Sequence, residues 1–212
     1  MTSEPILTYP GLSMGRGCRL DASLQLRGEG TIEFGHYVSI GPGVLIDLGD
    51  SGKGKVRIGH RAKLKGHTYI RCYNGHCMIG DRATVGEFVV LYGHGGIDIE
   101  EAAGVGPHVS IFASTHIIDS DLPIRLQGEI ARGVRIEKGV WLGSGSRILD
   151  GVTIGRDTAV GANSVVLNDL ESHSVYAGAP ARLLRRRGSR GRNLALYDTA
   201  HEATSKEGDI TQ

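Results

Sequence analysis

Residues 130–166 read IARGVRIEKGVWLGSGSRILDGVTIGRDTAVGANSVV, and an aliphatic side chain returns at every sixth position of this stretch. A period of six fits neither the turn of about 3.6 residues in an α-helix nor the simple alternation of a strand. It is typical of a solenoid in which each hexad supplies a short strand and a corner, so that three hexads close a triangular coil of about 18 residues. The repeating positions are Ile130, Ile136, Leu142, Ile148, Ile154, Val160 and Val166. The stretch therefore predicts an all-β protein, a single-stranded parallel β-helix.

The same period predicts which side chains stack inside the coils. Residues 18 positions apart should lie on one another, so Ile130 is expected to stack on Ile148, and Ile148 on Val166. The polar segment LGDSGKGK (48–55) cannot fill a core, and we interpret it as a turn after which the register resumes at Ile58, 18 residues after Ile40. Because aliphatic columns fill the prism, function must lie on its outside.

Composition and charge narrow the class of protein. Gly makes up 33 of the 212 residues and aromatic residues only 5%, as a narrow prism with many corners requires. The formal net charge of +1 gives no reason to expect nucleic acid or another polyanion as a partner. No apolar run approaches the ~20 residues of a membrane-spanning helix, and residues 1–10 do not resemble a signal peptide. Three cysteines without paired CxxC motifs suit a reducing compartment, so we expect a cytoplasmic protein.

The chain divides into one elongated domain and two short ends. We expect an N-terminal lead over residues 1–13, the β-helix over 14–180, and a basic, flexible C-terminal tail over 181–212. Within the domain the repeat breaks at HIIDSDLPIRLQGE (116–129), which has charges at core positions and a proline. This segment predicts a loop that protrudes from the coils, and insertions in a solenoid tend to lie on its functional face.

Three segments resemble the hexapeptide-repeat acyltransferases, in particular the sugar O-acetyltransferases related to maltose, galactoside and nodulation acetyltransferases. They are STHIIDSDLPIRLQGE, VRIEKGVWLGSGSRILDGVTIGRDTAVGANSVVLNDL and YAGAPARLLR, which lie within residues 99–187. The resemblance implies a left-handed β-helix. It also implies a homotrimer with acetyl-CoA sites in the clefts between chains, and a hydroxyl of a sugar or polysaccharide precursor as acceptor.

Carried over residue by residue, the resemblance implies His116 as the catalytic base. It places Trp141 and Ser144 beside the pantetheine arm, Ala162 in the same cleft, and Arg182 and Arg185 near the nucleotide end. Two departures stand out. Leu167 and Asn168 replace a Thr and a Lys of the galactoside enzymes near the cofactor, and the N-terminal helical segment of the maltose enzymes has no counterpart here. The second departure favours polysaccharide or natural-product precursors over free disaccharides.

The chemistry is consistent with a histidine at position 116. An alcohol attacks a thioester poorly unless a base removes its proton, and imidazole, with a reference pKa of about 6.5, suits that task near neutral pH. For the acceptor we consider Tyr92 and His94, and Asp119 and Asp121, which lie close to His116 in sequence and are also candidates for orienting it. We predict no bound metal and no covalent acyl-enzyme.

Other functions remain open at this point. The same base can serve an N-acetyltransferase that acts on an amino sugar or an antibiotic-like amine. A γ-carbonic-anhydrase-like protein shares the fold but needs three converging histidines, and His94, His108 and His116 have unsuitable spacing. A non-catalytic β-helix would leave the loop over 116–129 without a purpose.

Overall fold

Residues 9–188 are described by the computed structural model, and they form a three-walled prism of short parallel strands. The fold class is confirmed: a parallel β-helix, as the hexads predicted, with the left hand that the family resemblance implied. Within the described residues, no helix is long and apolar enough to cross a membrane.

Each coil of the prism adds one short strand to each wall. The first five coils contain β1 (Leu12–Met14), β2 (Arg19–Leu20), β3 (Gln25–Arg27), β4 (Gly30–Phe34), β5 (Ser39–Ile40), β6 (Leu45–Asp47), β7 (Gly54–Ile58), β8 (Lys63–Leu64), β9 (Tyr69–Arg71), β10 (His76–Ile79), β11 (Thr84–Val85), β12 (Val90–Tyr92), β13 (Ile97–Ile99), β14 (Gly104–Val105) and β15 (Ser110–Phe112).

The chain then leaves the prism, returns for two more coils and ends in a hairpin. The excursion contains β16 (Thr115–His116), a 3-10 helix (Ile124–Leu126) and β17 (Glu129–Ile130). The remaining strands are β18 (Val134–Ile136), β19 (Trp141–Leu142), β20 (Arg147–Ile148), β21 (Thr153–Ile154), β22 (Ala159–Val160), β23 (Val165–Val166), β24 (Ser174–Ala177) and β25 (Arg182–Arg186).

Three parallel sheets form the walls. Sheet A contains β1, β4, β7, β10, β13, β18 and β21; sheet B contains β2, β5, β8, β11, β14, β19, β22, β24 and β25; sheet C contains β3, β6, β9, β12, β15, β20 and β23. Only the pairs β16–β17 and β24–β25 are antiparallel among the strands of residues 9–188. We name the turns between the walls the A–B, B–C and C–A corners, in the order in which the chain passes them.

The core is one continuous cluster of aliphatic side chains that point into the prism. Inward and outward residues alternate along each strand, so β9 buries Ile70 and turns Tyr69 and Arg71 to the outside. Burying an aliphatic side chain of this size contributes about 1.5–3 kcal/mol. The coils are therefore rigid supports, and the chemistry must come from outward-facing and corner residues.

Variation in coil length is confined to one corner. In every coil from β1 to β23 the step from sheet A to sheet B is seven residues, as from Arg135 to Leu142, and the step from B to C is six, as from Leu142 to Ile148. The step from C back to A ranges from five residues, Ile148 to Thr153, to 24, Ile111 to Arg135. All insertions therefore emerge at the C–A corner.

This corner explains where the sequence-based register is wrong. Coils of 18 residues occur only after the excursion, because earlier coils carry extra residues at the C–A corner. Ile148 stacks between Ile111 and Val166, whereas Ile130 is only half-buried and pairs with Thr115 in the excursion. The segment 48–55 likewise lengthens its coil.

That longer coil also changes the pairing of Ile58. Ile58 pairs with Phe34, 24 residues earlier, and Ile40 pairs with Leu64. The register after the polar segment is therefore not the one expected from a spacing of 18.

Both predicted end segments overlap the coils. Strand β1 begins at Leu12, inside the predicted lead, and β25 lies inside the predicted tail, where it pairs with β24. The predicted flexible tail therefore begins with a strand. Residues 1–8 and 189–212, with Arg190 and Arg192, lie outside the described residues.

Candidate active site

The foot of the excursion is a two-residue antiparallel ladder at the C–A corner. Thr115 pairs with Ile130 and His116 with Glu129, and the amide of Ile117 donates to the carbonyl oxygen of Gly128 at 3.1 Å. The segments at which the chain leaves and re-enters the coils both lie against Gly95. A Cβ added there would lie 2.6 Å from the carbonyl oxygen of Ala113. Glycine at position 95 thus allows these two segments to pack closely on the preceding coil.

Two histidines share one carboxylate in this corner. His116 Nε2 lies 3.7 Å from Glu129 Oε1, and His94 Nδ1 lies 3.3 Å from Glu129 Oε2. Ser114 Oγ is 3.4 Å from the same nitrogen of His94. The His116 side chain is 55% exposed and that of His94 is 26% exposed. His116 is therefore open to a substrate, while His94 is more enclosed.

An aromatic cluster supports His94 from the preceding coils. The Tyr73 ring stacks on the His94 ring with centroids 4.1 Å apart, and the Arg71 guanidinium lies 4.4 Å from the Tyr73 centroid. Tyr92 packs against Tyr73 at 6.0 Å and against Phe112 at 5.9 Å. This packing fixes the orientation of His94 and extends a half-buried aromatic wall along sheet C below His116.

The carboxylates at the loop tip do not pair with His116 within the described residues, and their binding of the acceptor stays a prediction. Asp119 and Asp121 are exposed, and neither makes a hydrogen bond or ion pair within residues 9–188. Gln127 instead closes the tip through its amide, which donates to the carbonyl oxygens of Ser120 and Leu122 at 3.0 and 2.6 Å. The tip also exposes apolar side chains, namely Ile118, Leu122, Ile124 and Leu126.

The residues expected to bind the cofactor lie on a different side of the prism. Trp141 stands on sheet B, 54% exposed, with its indole directly over Gly104 of the coil before. Ser144 and Ala162 are exposed at the B–C corner of successive coils. Arg182 and Arg185 follow on β25, at the C-terminal end of the same sheet. These five residues form a strip that runs along sheet B and its B–C edge.

A single chain does not bring the two groups together. The C–A corner lies opposite sheet B in a three-walled prism, so His116 and Trp141 face away from each other. His108 is also remote from His94 and His116, because it lies at the B–C corner, where its ring stacks on Phe88 with centroids 5.1 Å apart. Within residues 9–188 no group of three or more His, Cys, Asp or Glu side chains is arranged as a metal site.

The buried thiols are unsuited to nucleophilic chemistry. Cys72 and Cys77 point into the core, and burial raises the pKa of Cys72 to about 12 and that of Cys77 well above its usual range. A thiol attacks as its thiolate. Neither residue therefore supplies a nucleophile near neutral pH.

Comparison with known proteins agrees with the coils. Residues 133–168 match the family described as bacterial transferase hexapeptide, six repeats. This stretch therefore carries the hexapeptide repeat of bacterial transferases. Among similar proteins, a galactoside O-acetyltransferase of Lactococcus lactis is 38% identical over 81 residues, which cover 38% of this chain and 39% of the relative.

Two further relatives cover more of this hexapeptide-repeat chain. A protein of Mycobacterium tuberculosis named as a probable acetyltransferase is 30% identical over 188 residues, which cover 88% of this chain and 54% of the relative. A solved hexapeptide-repeat acetyltransferase of Vibrio cholerae, complexed with acetyl coenzyme A, has a TM-score of 0.50 at 25% identity, covering 72% of this chain and 69% of that one. The chain spans about half the length, or less, of the two curated relatives.

Glu129, which contacts both histidines of the candidate site, was not among the residues predicted from the sequence. It lies 13 positions after His116, at the opposite end of the excursion, whereas Asp119 and Asp121 are near neighbours in sequence. The available signal was the break in the repeat itself. A loop that leaves a coil and returns to it must bring its two ends together, and His116 and Glu129 are those ends.

Proposed function

We propose that this chain is an acetyl-CoA-dependent acetyltransferase that moves the acetyl group to a hydroxyl of a saccharide or a related precursor. The observation that carries the proposal is an exposed imidazole paired with a carboxylate, at the only corner of the described coils where insertions emerge. Similarity to acetyltransferases supports the acyl-transfer chemistry to which such a base is suited. The family resemblance points to acetyl-CoA as donor.

In the proposed reaction His116 accepts the proton of the acceptor hydroxyl as its oxygen attacks the thioester carbonyl. The tetrahedral intermediate then expels the sulfur of coenzyme A, which takes the proton from the imidazolium and leaves as the free thiol. Glu129 lies on the Nε2 side of the ring, which leaves Nδ1 for the acceptor. Its negative charge offsets the positive charge that the ring acquires during the transfer.

The proposed cleft lies between chains of a homotrimer. His116 of one chain and the strip with Trp141 and Ala162 of a neighbour would form its two sides, because one chain holds these groups on opposite sides. A cyclic trimer closes three equal clefts by one repeated contact. The exposed apolar tip of the excursion supports this arrangement, since exposed apolar patches commonly mark interaction surfaces.

The test is the release of coenzyme A thiol from acetyl-CoA in the presence of hydroxyl and amino acceptors. We expect turnover with a hydroxyl-bearing saccharide, and a kcat lowered ~10²–10⁴-fold in His116→Ala, the range for loss of a general base. His173→Gln, an exposed histidine at the A–B corner, serves as the control and should keep parental activity. Turnover with amines alone would replace O-acetylation by N-acetylation, and equal kcat in His116→Ala and parent would remove His116 from the mechanism.

A further inference from the structure

One straight column of outward-facing residues runs the length of sheet B. Strand pairing aligns Arg19, Ser39, Lys63, Thr84, Gly104 and Trp141 from the first coil to the sixth. In the C-terminal half of this column, Trp141 follows the small residues Thr84 and Gly104. In its N-terminal half, Arg19 and Lys63 are exposed cations. The proposed cofactor strip and these cations therefore share one wall.

The neighbouring A–B corner adds two further cations to this wall. Arg16 and Arg61 lie on either side of the Tyr37 ring, with guanidinium carbons 5.9 and 5.7 Å from its centroid. Tyr37 is 46% exposed and has a φ of 59°, a left-handed conformation that turns its ring out at the corner. Tyr37 thus brings both guanidinium groups close to one ring beside sheet B. We name Arg16, Arg19, Arg61 and Lys63 the basic strip.

The strip is not neutralised by the chain's own carboxylates. None of its four members has a carboxylate within 4.0 Å among residues 9–188, whereas cations next to it do: Lys65 pairs with Glu87 at 3.4 Å, and Arg82 pairs with Glu101. Asp21, at the end of β2, is occupied by the amide and hydroxyl of Ser23 at 3.0 and 2.6 Å.

The net charge of the whole chain conceals this local excess, because +1 is an average over all faces. Four cations on one wall, without a carboxylate partner among residues 9–188, create a positive potential that attracts an anionic ligand.

We infer that the basic strip binds anionic groups of the acceptor, which is then an acidic saccharide chain. This inference rests on the proposed acetyl transfer. His116 emerges from the fifth coil, while the cofactor residues Trp141, Ala162 and Arg182 lie in later coils. In the proposed cleft the wall that faces His116 belongs to the neighbouring chain, so the acceptor would extend the other way, along the basic strip of that chain.

Coil spacing sets how far along the prism axis that acceptor has to reach. At about 4.8 Å per coil, Lys63 lies about 10 Å and Arg19 about 19 Å below the level of His116. A carboxylated saccharide of roughly two to four residues spans that distance. The Tyr37 ring beside the strip already lies between two guanidinium groups, so this ring is a poor base-stacking platform for nucleic acid.

The experiment measures binding by the full chain without acetyl-CoA, so that it does not depend on turnover. The probes are a hexamer of galacturonate, a neutral hexamer of glucose, a UDP-sugar and a single-stranded oligothymidylate. The variant Arg19→Gln/Lys63→Gln removes two strip charges, and the control Lys53→Gln/Lys55→Gln removes two exposed charges from the side of sheet A. We expect the galacturonate hexamer to bind in a salt-sensitive manner, at least about 10-fold more weakly in the strip variant and within about twofold of parent in the control.

Several results would overturn the inference. They are absence of galacturonate binding, equal weakening in both variants, and tighter binding of the UDP-sugar or the oligothymidylate than of the galacturonate hexamer. Loss of the parental oligomer in the strip variant would assign the strip to contacts with a second copy of the chain. Strip-dependent galacturonate binding without acetyl transfer to any acceptor would refute the proposed function while leaving the anion site in place.

Discussion

His116 and Glu129 are direct register partners across the ladder that closes the excursion, and their side chains meet with Nε2 3.7 Å from Oε1. Backbone pairing therefore fixes which carboxylate faces the imidazole. Glu129 also contacts His94, so one negative charge serves two rings. This arrangement makes Glu129 a positioning residue whose loss should change the chemistry more than the binding of substrate.

Glu129→Gln is expected to lower kcat by about 10–100-fold with little change in the KM for acetyl-CoA. The amide keeps the shape of the carboxylate but cannot offset a positive charge on His116. Steady-state kinetics across pH 5–9 would measure the effect, and Glu129→Asp should recover part of the loss. Glu33→Gln, on sheet A beside Arg57, is the matched control with parental kinetics. A rise in KM alone would contradict the positioning role.

Ile148→Ala is expected to lower the free energy of unfolding by about 2–5 kcal/mol, because it leaves a cavity between Ile111 and Val166. Ile130→Ala should cost less than about 1 kcal/mol, since Ile130 is half-buried outside the coils. Urea unfolding of both variants measures the difference. Equal losses of unfolding free energy would show that Ile130 lies in the core column, and would contradict the pairing of Ile148 with Ile111 and Val166.

Two buried serines should respond in opposite ways to replacement by alanine. Ser146 Oγ is buried without a hydrogen-bond partner among residues 9–188, so Ser146→Ala is expected to be neutral or to stabilise by up to about 1 kcal/mol. Ser164 Oγ accepts from the amide of Gly178 at 3.1 Å, and Ser164→Ala should cost about 1–2 kcal/mol because that donor loses its partner. Thermal melts of the two variants provide the measurement, and the reverse order of stability would contradict the assignment.

Alkaline pH should destabilise the fold through the buried thiols. The pKa of Cys72 is raised by burial to about 12, so the folded state keeps a proton that the unfolded thiol loses above about pH 8.5. The contribution of the protonated Cys72 thiol to the free energy of unfolding is complete below about pH 8.5, and it is lost as the pH rises toward 12. Between pH 8.5 and 10.5, the free energy of unfolding should fall by about 2–3 kcal/mol less in Cys72→Ala than in the parent.

Val44→Ala, a core truncation without a thiol, is the control for the cavity that Cys72→Ala creates. It should keep the parental dependence on pH, measured as the urea midpoint at pH 8.5 and 10.5. Identical slopes for Cys72→Ala and the parent would show that this thiol does not couple folding to pH.

The fold could be predicted from the sequence because each coil of a solenoid core is built from residues that are close together in the chain. Each hexad between Ile136 and Val166 places its aliphatic residue in the prism without reference to distant parts of the chain. The register of earlier coils could not be predicted, since hexads alone do not show which corner absorbs extra residues. Ile58 therefore pairs with Phe34 rather than following the expected spacing from Ile40.

The candidate site could be predicted only in part. His116 stands in a motif, but its partner Glu129 is brought to it by closure of a loop, which a local pattern does not reveal. The same is true of the basic strip. Its members are separated by as many as 47 positions, from Arg16 to Lys63, and converge only because successive coils stack.

Mixing two inactive variants is the sharpest test of acetyl transfer in a cleft built from two chains. His116→Ala removes the base, and Ala162→Trp fills the wall of the exposed B–C corner. Each pure protein should be inactive. When equal amounts are dissociated and reassembled at random, each cleft draws its two sides independently, so about a quarter of the parental activity should return. Activity that stays at background in verified mixed trimers would contradict a cleft between chains.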